Sequence, residues 1–93
     1  IERDNKEYIL LSNPDGPDRS HGSIKILEVK SDDRIEFVGI KMINDKHYGY
    51  SCLAHSPKKD TYALLYEQEE NIDGQGKDVI YYTEFAQEWL FDL

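Results

Sequence analysis

Four side chains in this chain have the soft or borderline chemistry that could bind a metal or attack a substrate: His21, His47, Cys52 and His55. Cys52 and His55 stand in a C-x-x-H spacing, which would suit two ligands on one tight turn. Structural zinc takes such pairs twice, two ligands from each of two turns. Here His21 and His47 are isolated, so the second pair is missing and no metal site is assigned. A Cys–His nucleophile needs a thiol with a base held beside it. Cys52 falls in the middle of a β-prone run, where a small buried hydrophobe is expected. Cys52→Ala is therefore expected to retain function. No catalytic residue is assigned, and the chain is read as a non-enzyme that calls for no cofactor.

Oxygen ligands also recur. Asn71, Asp73, Gln75 and Gly76 resemble the first half of a calcium loop, but Tyr82 stands where the bidentate acid should be. An acidic hairpin loop is the expectation there, and the same holds for Asn13, Asp15 and Asp18. No phosphate loop, nucleophile elbow, zinc-protease helix or dinucleotide fingerprint occurs.

Charge is the stronger signal. Glu67, Glu69, Glu70, Asp73, Asp78, Glu84, Glu88 and Asp92 face only Lys77 between residues 67 and 93, so this third carries −7 of the chain's −8. Residues 19–59 hold eight bases and five acids, for +3. Such a dipole steers a cationic partner and repels nucleic acid. The partner-binding candidates are therefore Glu67, Glu69, Glu70, Asp73, Asp78, Glu84 and Glu88. The matching partner is a basic protein, such as a nucleic-acid enzyme or a toxin. An inhibitor or immunity-type protein, including a nucleic-acid mimic, could fill its cleft with carboxylates and aromatic anchors. Two alternatives stand beside this. One is a single-strand nucleic-acid binder using Lys25, Lys30, Arg34, Lys41, Lys46, Tyr48 and Tyr50 on a small barrel, opposed by the net charge. The other is a small enzyme built on the His and Cys residues.

The elements that position these groups follow from length and periodicity. Ninety-three residues, 39% hydrophobic and 32% charged, suit a single domain over 1–93 with a small core. One cysteine precludes an internal disulfide, which points to a reducing, cytoplasmic setting. No apolar run is long enough for a membrane span. Short β-prone runs alternate with turn chemistry. Strands are expected at 7–12, 24–30, 35–42, 47–54, 61–68 and 78–83. The intervening loops are expected at 13–23, 31–34, 44–45, 56–60 and 69–76. Along 35–42, Ile35 and Phe37 should share one face and Val38, Ile40 and Met42 the other. Phe85, Ala86, Trp89, Leu90 and Leu93 form a helical stripe, with Thr83 as its cap and Trp89 and Phe85 as its anchors. A strand over the same residues is the competing expectation. The sum is a mainly β domain, with α+β possible. It is a five- to six-stranded antiparallel meander or half-barrel with a short C-terminal helix packed on it.

Overall fold

The alternating apolar residues of this chain fold into strands in which every pairing is antiparallel between sequence neighbours. The computed structural model describes all 93 residues. The elements are β1 (Glu2–Arg3), β2 (Lys6–Gly16), β3 (Ser20–Val29), β4 (Ile35–Met42), β5 (Ser51–His55), β6 (Thr61–Ile72), β7 (Gln75–Ala86) and α1 (Gln87–Leu90). The chain is mainly β, as expected, and ends in one short helix. There are seven strands, however, in two sheets ordered β1-β2-β3-β4 and β5-β6-β7. No helix is long and apolar enough to cross a membrane.

The two sheets bury their facing sides against each other. Ile24 and Ile26 of β3, Tyr62 and Leu64 of β6, Phe85 of β7 and Leu90 of α1 form the core. On β3 and β6 these residues are two apart, the period that sends side chains to one face of a strand. Tyr48 is also wholly buried: its hydroxyl lies 2.6 Å from Ser12 Oγ and its ring stacks on Tyr66 at 5.2 Å. A Cβ on Gly22 would stand 2.0 Å from that ring. Glycine is thus what lets backbone and aromatic meet.

Several expected boundaries move. Residues 13–23 are mostly strand, because Asn13, Pro14 and Gly16 pair with Ser23, Gly22 and Ser20, leaving only Pro17–Arg19 as the turn. Residues 69–72 and 75–76 are also strand. Glu69 to Ile72 pair with Asp78 to Gln75, and the turn is Asp73-Gly74, with φ of 52° and 78°. That two-residue turn matches the twist of a hairpin, which is why the ladder continues through so polar a stretch. It also removes the calcium half-loop, since Asn71 and Gln75 sit on opposite arms of a ladder.

Asn44-Asp45 is not a hairpin turn. Ile43 and Asn44 donate their N–H groups to Gly22 O, and the chain then crosses to the other sheet. The strand expected at 47–54 is consequently 51–55. Asn44 secures the crossing: its Oδ1 accepts from Gly22 N–H at 3.1 Å and its Nδ2 donates to Gln68 Oε1 at 2.7 Å. At the C-terminus Thr83 caps nothing, because β7 runs on to Ala86 and the helix is a single turn. Within it Leu90 is buried, whereas Trp89 is 40% exposed, so the expected Trp89 anchor is half right. In β4 the register shifts between Ile26 and Leu27 of its partner. The bulge makes Phe37 oppose Leu27 and Ile40 oppose Lys25, so Phe37 and Ile40 share a face. The simple alternation expected for this strand is thereby overturned.

Candidate partner-binding face

The register of the second sheet sorts its residues into two faces. Opposed residues share a face, and alternate rungs along the strand return to it. One face, turned to the core, holds His55-Tyr62-Phe85, Leu53-Leu64-Thr83 and Ser51-Tyr66-Tyr81. The other holds Ala54-Ala63-Glu84 and Cys52-Leu65-Tyr82, then Glu67-Ile80 and Glu69-Asp78. Tyr50 extends the Glu67-Ile80 row: Glu67 N–H donates to Tyr50 O at 3.0 Å, and Tyr50 N–H donates to the Glu67 carboxylate at 2.9 Å. This outer face carries exposed apolar groups. Tyr50 is 74% exposed, Ile80 70%, Tyr82 58% and Leu65 46%. A shallow depression of about 350 Å³ lies among Tyr50, Cys52, Leu65, Glu67 and Ile80.

Four of the seven acidic candidates therefore sit together on one face: Glu67, Glu69, Asp78 and Glu84. The other three do not. Glu70 belongs to the opposite face, where it accepts from the Tyr81 hydroxyl and from Gln68 Nε2 at 2.7 Å. Asp73 occupies the hairpin tip. Glu88 lies on α1, 3.7 Å from Arg3. Glu84 accepts from Tyr82 Oη at 2.5 Å and pairs with Lys58 at 3.2 Å. These bonds, Tyr82 first, hold its carboxyl below the ordinary value, while the same bond pushes the Tyr82 phenol up. Glu70 is lowered likewise by Tyr81 and then Gln68, with Tyr81 raised in return.

The structure adds a grouping that sequence spacing missed. His47, Glu69 and Asp78 bring one ligand atom each within 4.8 Å of one another. Their separation in sequence left no signal; only the crossing segment delivers His47, which bridges to Ser20. His47 Nδ1 accepts from Glu69 N–H at 3.1 Å. In the neutral ring that leaves an N–H, not a lone pair, at Nε2. A cation ligated by Nδ1 would have to displace the Glu69 N–H.

The other chemistry is scattered. Cys52 and His55 lie three apart on an extended strand, so they point to opposite faces and form no chelate. Cys52 is exposed, contrary to the buried role expected of it, because the β5 alternation turns it outward beside Leu65. His21 rests against Ser20 Oγ at 2.9 Å, and His55 tilts on Tyr62 at 5.5 Å. The basic residues do not gather with tyrosines into one platform. Lys25 pairs with Asp15, Lys30 with Glu28 and Glu36, and Arg34 with Asp32. Lys41 lies 4.9 Å over the Trp89 ring, and Tyr48 is inside the core. No family model matches this chain, and no solved structure matches it.

Proposed function

We propose that this chain is a small binding protein that docks a basic protein partner on the outer face of the second sheet, without catalysis. One observation carries the reading. Glu67, Glu69, Asp78 and Glu84 share a sheet face with the exposed Tyr50, Leu65, Ile80 and Tyr82. Apolar and aromatic side chains ringed by charge are the makings of a hot spot with a steering rim. The carboxylates attract the partner over distance, and the tyrosines and Ile80 hold it once docked. A basic cleft of a nucleic-acid enzyme or a toxin is a natural target, and an inhibitor or immunity-type role follows from occupying it. Nucleic-acid mimicry would be the limiting case. A reducing, cytoplasmic setting suits a partner surface that includes the exposed thiol of Cys52.

The test begins with capture from native lysate, with and without nuclease, followed by stopped-flow association with the purified partner. Glu67→Lys and Glu69→Lys should slow association and flatten its salt dependence. Tyr82→Ala and Ile80→Ala should instead speed dissociation. Bound material that disappears with nuclease, together with loss of binding in Lys25→Glu, would replace this reading with nucleic-acid binding.

A further inference from the structure

The first sheet ends on an open edge. β4 pairs only with β3, and no backbone hydrogen bond outside the regular ladders involves residues 35–42. The edge is eight residues long, contains no proline, and exposes Ile35 and Phe37 at 58% and Ile40 at 36%. Such an edge is a template for another strand. Its sequence, Ile-Glu-Phe-Val-Gly-Ile-Lys-Met, is self-complementary when reversed. Antiparallel pairing of two copies about a point between Val38 and Gly39 sets Ile35 opposite Met42, Glu36 opposite Lys41 and Phe37 opposite Ile40. Each of these pairs occurs twice.

The bulge is what permits this register. A two-fold axis perpendicular to a sheet leaves each residue on its own face, so opposed residues must already share a face within one copy. In a regular strand Phe37 and Ile40, three apart, would not. Here Phe37 opposes Leu27 and Ile40 opposes Lys25 on one face, while Glu36 opposes Glu28 and Lys41 opposes Ile24 on the other. All three pairs obey the symmetry. Glu36 keeps 62% of its side chain exposed and has only Lys30, at 3.5 Å, as its ion partner. Of the other edges, β1 has two residues and β5 five. β7, at twelve, has one base, Lys77, an odd number of positions from both Asp78 and Glu84, so no two-fold register of a regular strand sets opposite charges against each other there.

We propose that β4 is a homodimerisation edge, pairing antiparallel with β4 of a second copy to make one continuous eight-stranded sheet. The contact is isologous and closes at two copies. Glu36–Lys41 pairs flank the centre, and Phe37 and Ile40 of both copies meet on the outer face.

Sedimentation velocity over a dilution series, with circular dichroism as the check on folding, tests this. Wild-type protein should pass from monomer to dimer. Glu36→Lys and Lys41→Glu should each weaken the dimer by more than about tenfold, because like charges then oppose. An equimolar mixture of the two should recover a heterodimer, and the doubly swapped chain should recover the homodimer. Hydrogen exchange on wild-type protein supplies a second readout, since amides of 36–41 should gain protection as concentration rises. A wild-type chain that stays monomeric throughout, a dimer indifferent to these reversals, open-ended aggregation, or protection that does not change in β4 would each overturn the proposal.

Discussion

Glu70 and Glu84 each accept a phenol hydrogen bond, and this gives the molecule a pH signature at both ends of the scale. Their carboxyls lie below the ordinary value of 4.5, and Tyr81 and Tyr82 lie above 10.0. For a lowered acid, the stabilisation is full above 4.5 and is lost as pH falls through the folded value. For a raised phenol, it is full below 10.0 and is lost as pH climbs towards the folded value. Urea midpoints should therefore decline below about pH 4.5 and again above about pH 10. Tyr81→Phe should blunt both declines, which chemical denaturation at several pH values would reveal. Cys52 makes a different prediction at the same scale. It is exposed, so Cys52→Ala should change stability by less than about 0.5 kcal/mol. The thiol should also react freely with a thiol reagent in the native protein, and slow labelling would contradict its placement.

The elements divide the work of the C-terminus in a way the helical stripe did not foretell. Leu90 is wholly buried, so Leu90→Ala should cost about 2–5 kcal/mol. Trp89 touches Phe85 at 5.4 Å and Lys41 at 4.9 Å but keeps 40% exposure. Trp89→Ala should cost about 1–2 kcal/mol, less than a fully buried tryptophan would. Paired thermal melts rank the two, and the reverse ranking would mean that α1 is seated on its indole. Runs of β-branched, aromatic and other apolar residues bounded by turn chemistry made strands 35–42 and 61–68 legible, along with the turns at 31–34 and 56–60. What stayed hidden was long-range. Asn13–Gly16 and Glu69–Ile72 are polar stretches that become strand only because a partner strand continues beside them. The β4 bulge likewise leaves no mark in one strand alone. Among the site residues, parity along β6 and β7 could have grouped Glu67, Glu69, Asp78 and Glu84 and set Glu70 apart. His47 could not have been added to them, because its position depends on the crossing between the sheets.

At the scale of the whole molecule, charge and shape act together. The chain extends 51 × 30 × 20 Å, with only 11 of its 93 residues buried. A thin core with so much surface contributes only modest stability. The acids on the outer face of the second sheet should give fast, salt-sensitive association with a basic partner. Rates should fall as ionic strength passes the physiological range, where the screening length drops below about 8 Å. Reversal of Glu67, Glu69 or Asp78 should lower the on-rate, whereas reversal of Lys25 or Lys30, already paired within the first sheet, should leave it nearly unchanged. An on-rate independent of salt would mean that the asymmetry serves solubility alone. Gly22→Ala, which drives a methyl into the Tyr48 ring, should destabilise by about 1–3 kcal/mol without altering that salt slope.

The Asp73-Gly74 turn has a consequence for how this chain can change length over time. Polar hairpin tips ordinarily absorb insertions and deletions freely. This one sets the pairing of twelve successive rungs, from Ile72 with Gln75 to Thr61 with Ala86. Where one added residue displaces the ladder by a single position, every side chain of β7 changes sides. Phe85 and Thr83 would then turn to solvent, and Tyr82 and Glu84 would turn into the core. Related chains should accordingly gain or lose residues elsewhere, as at the exposed bend between β5 and β6, and keep this tip at two residues.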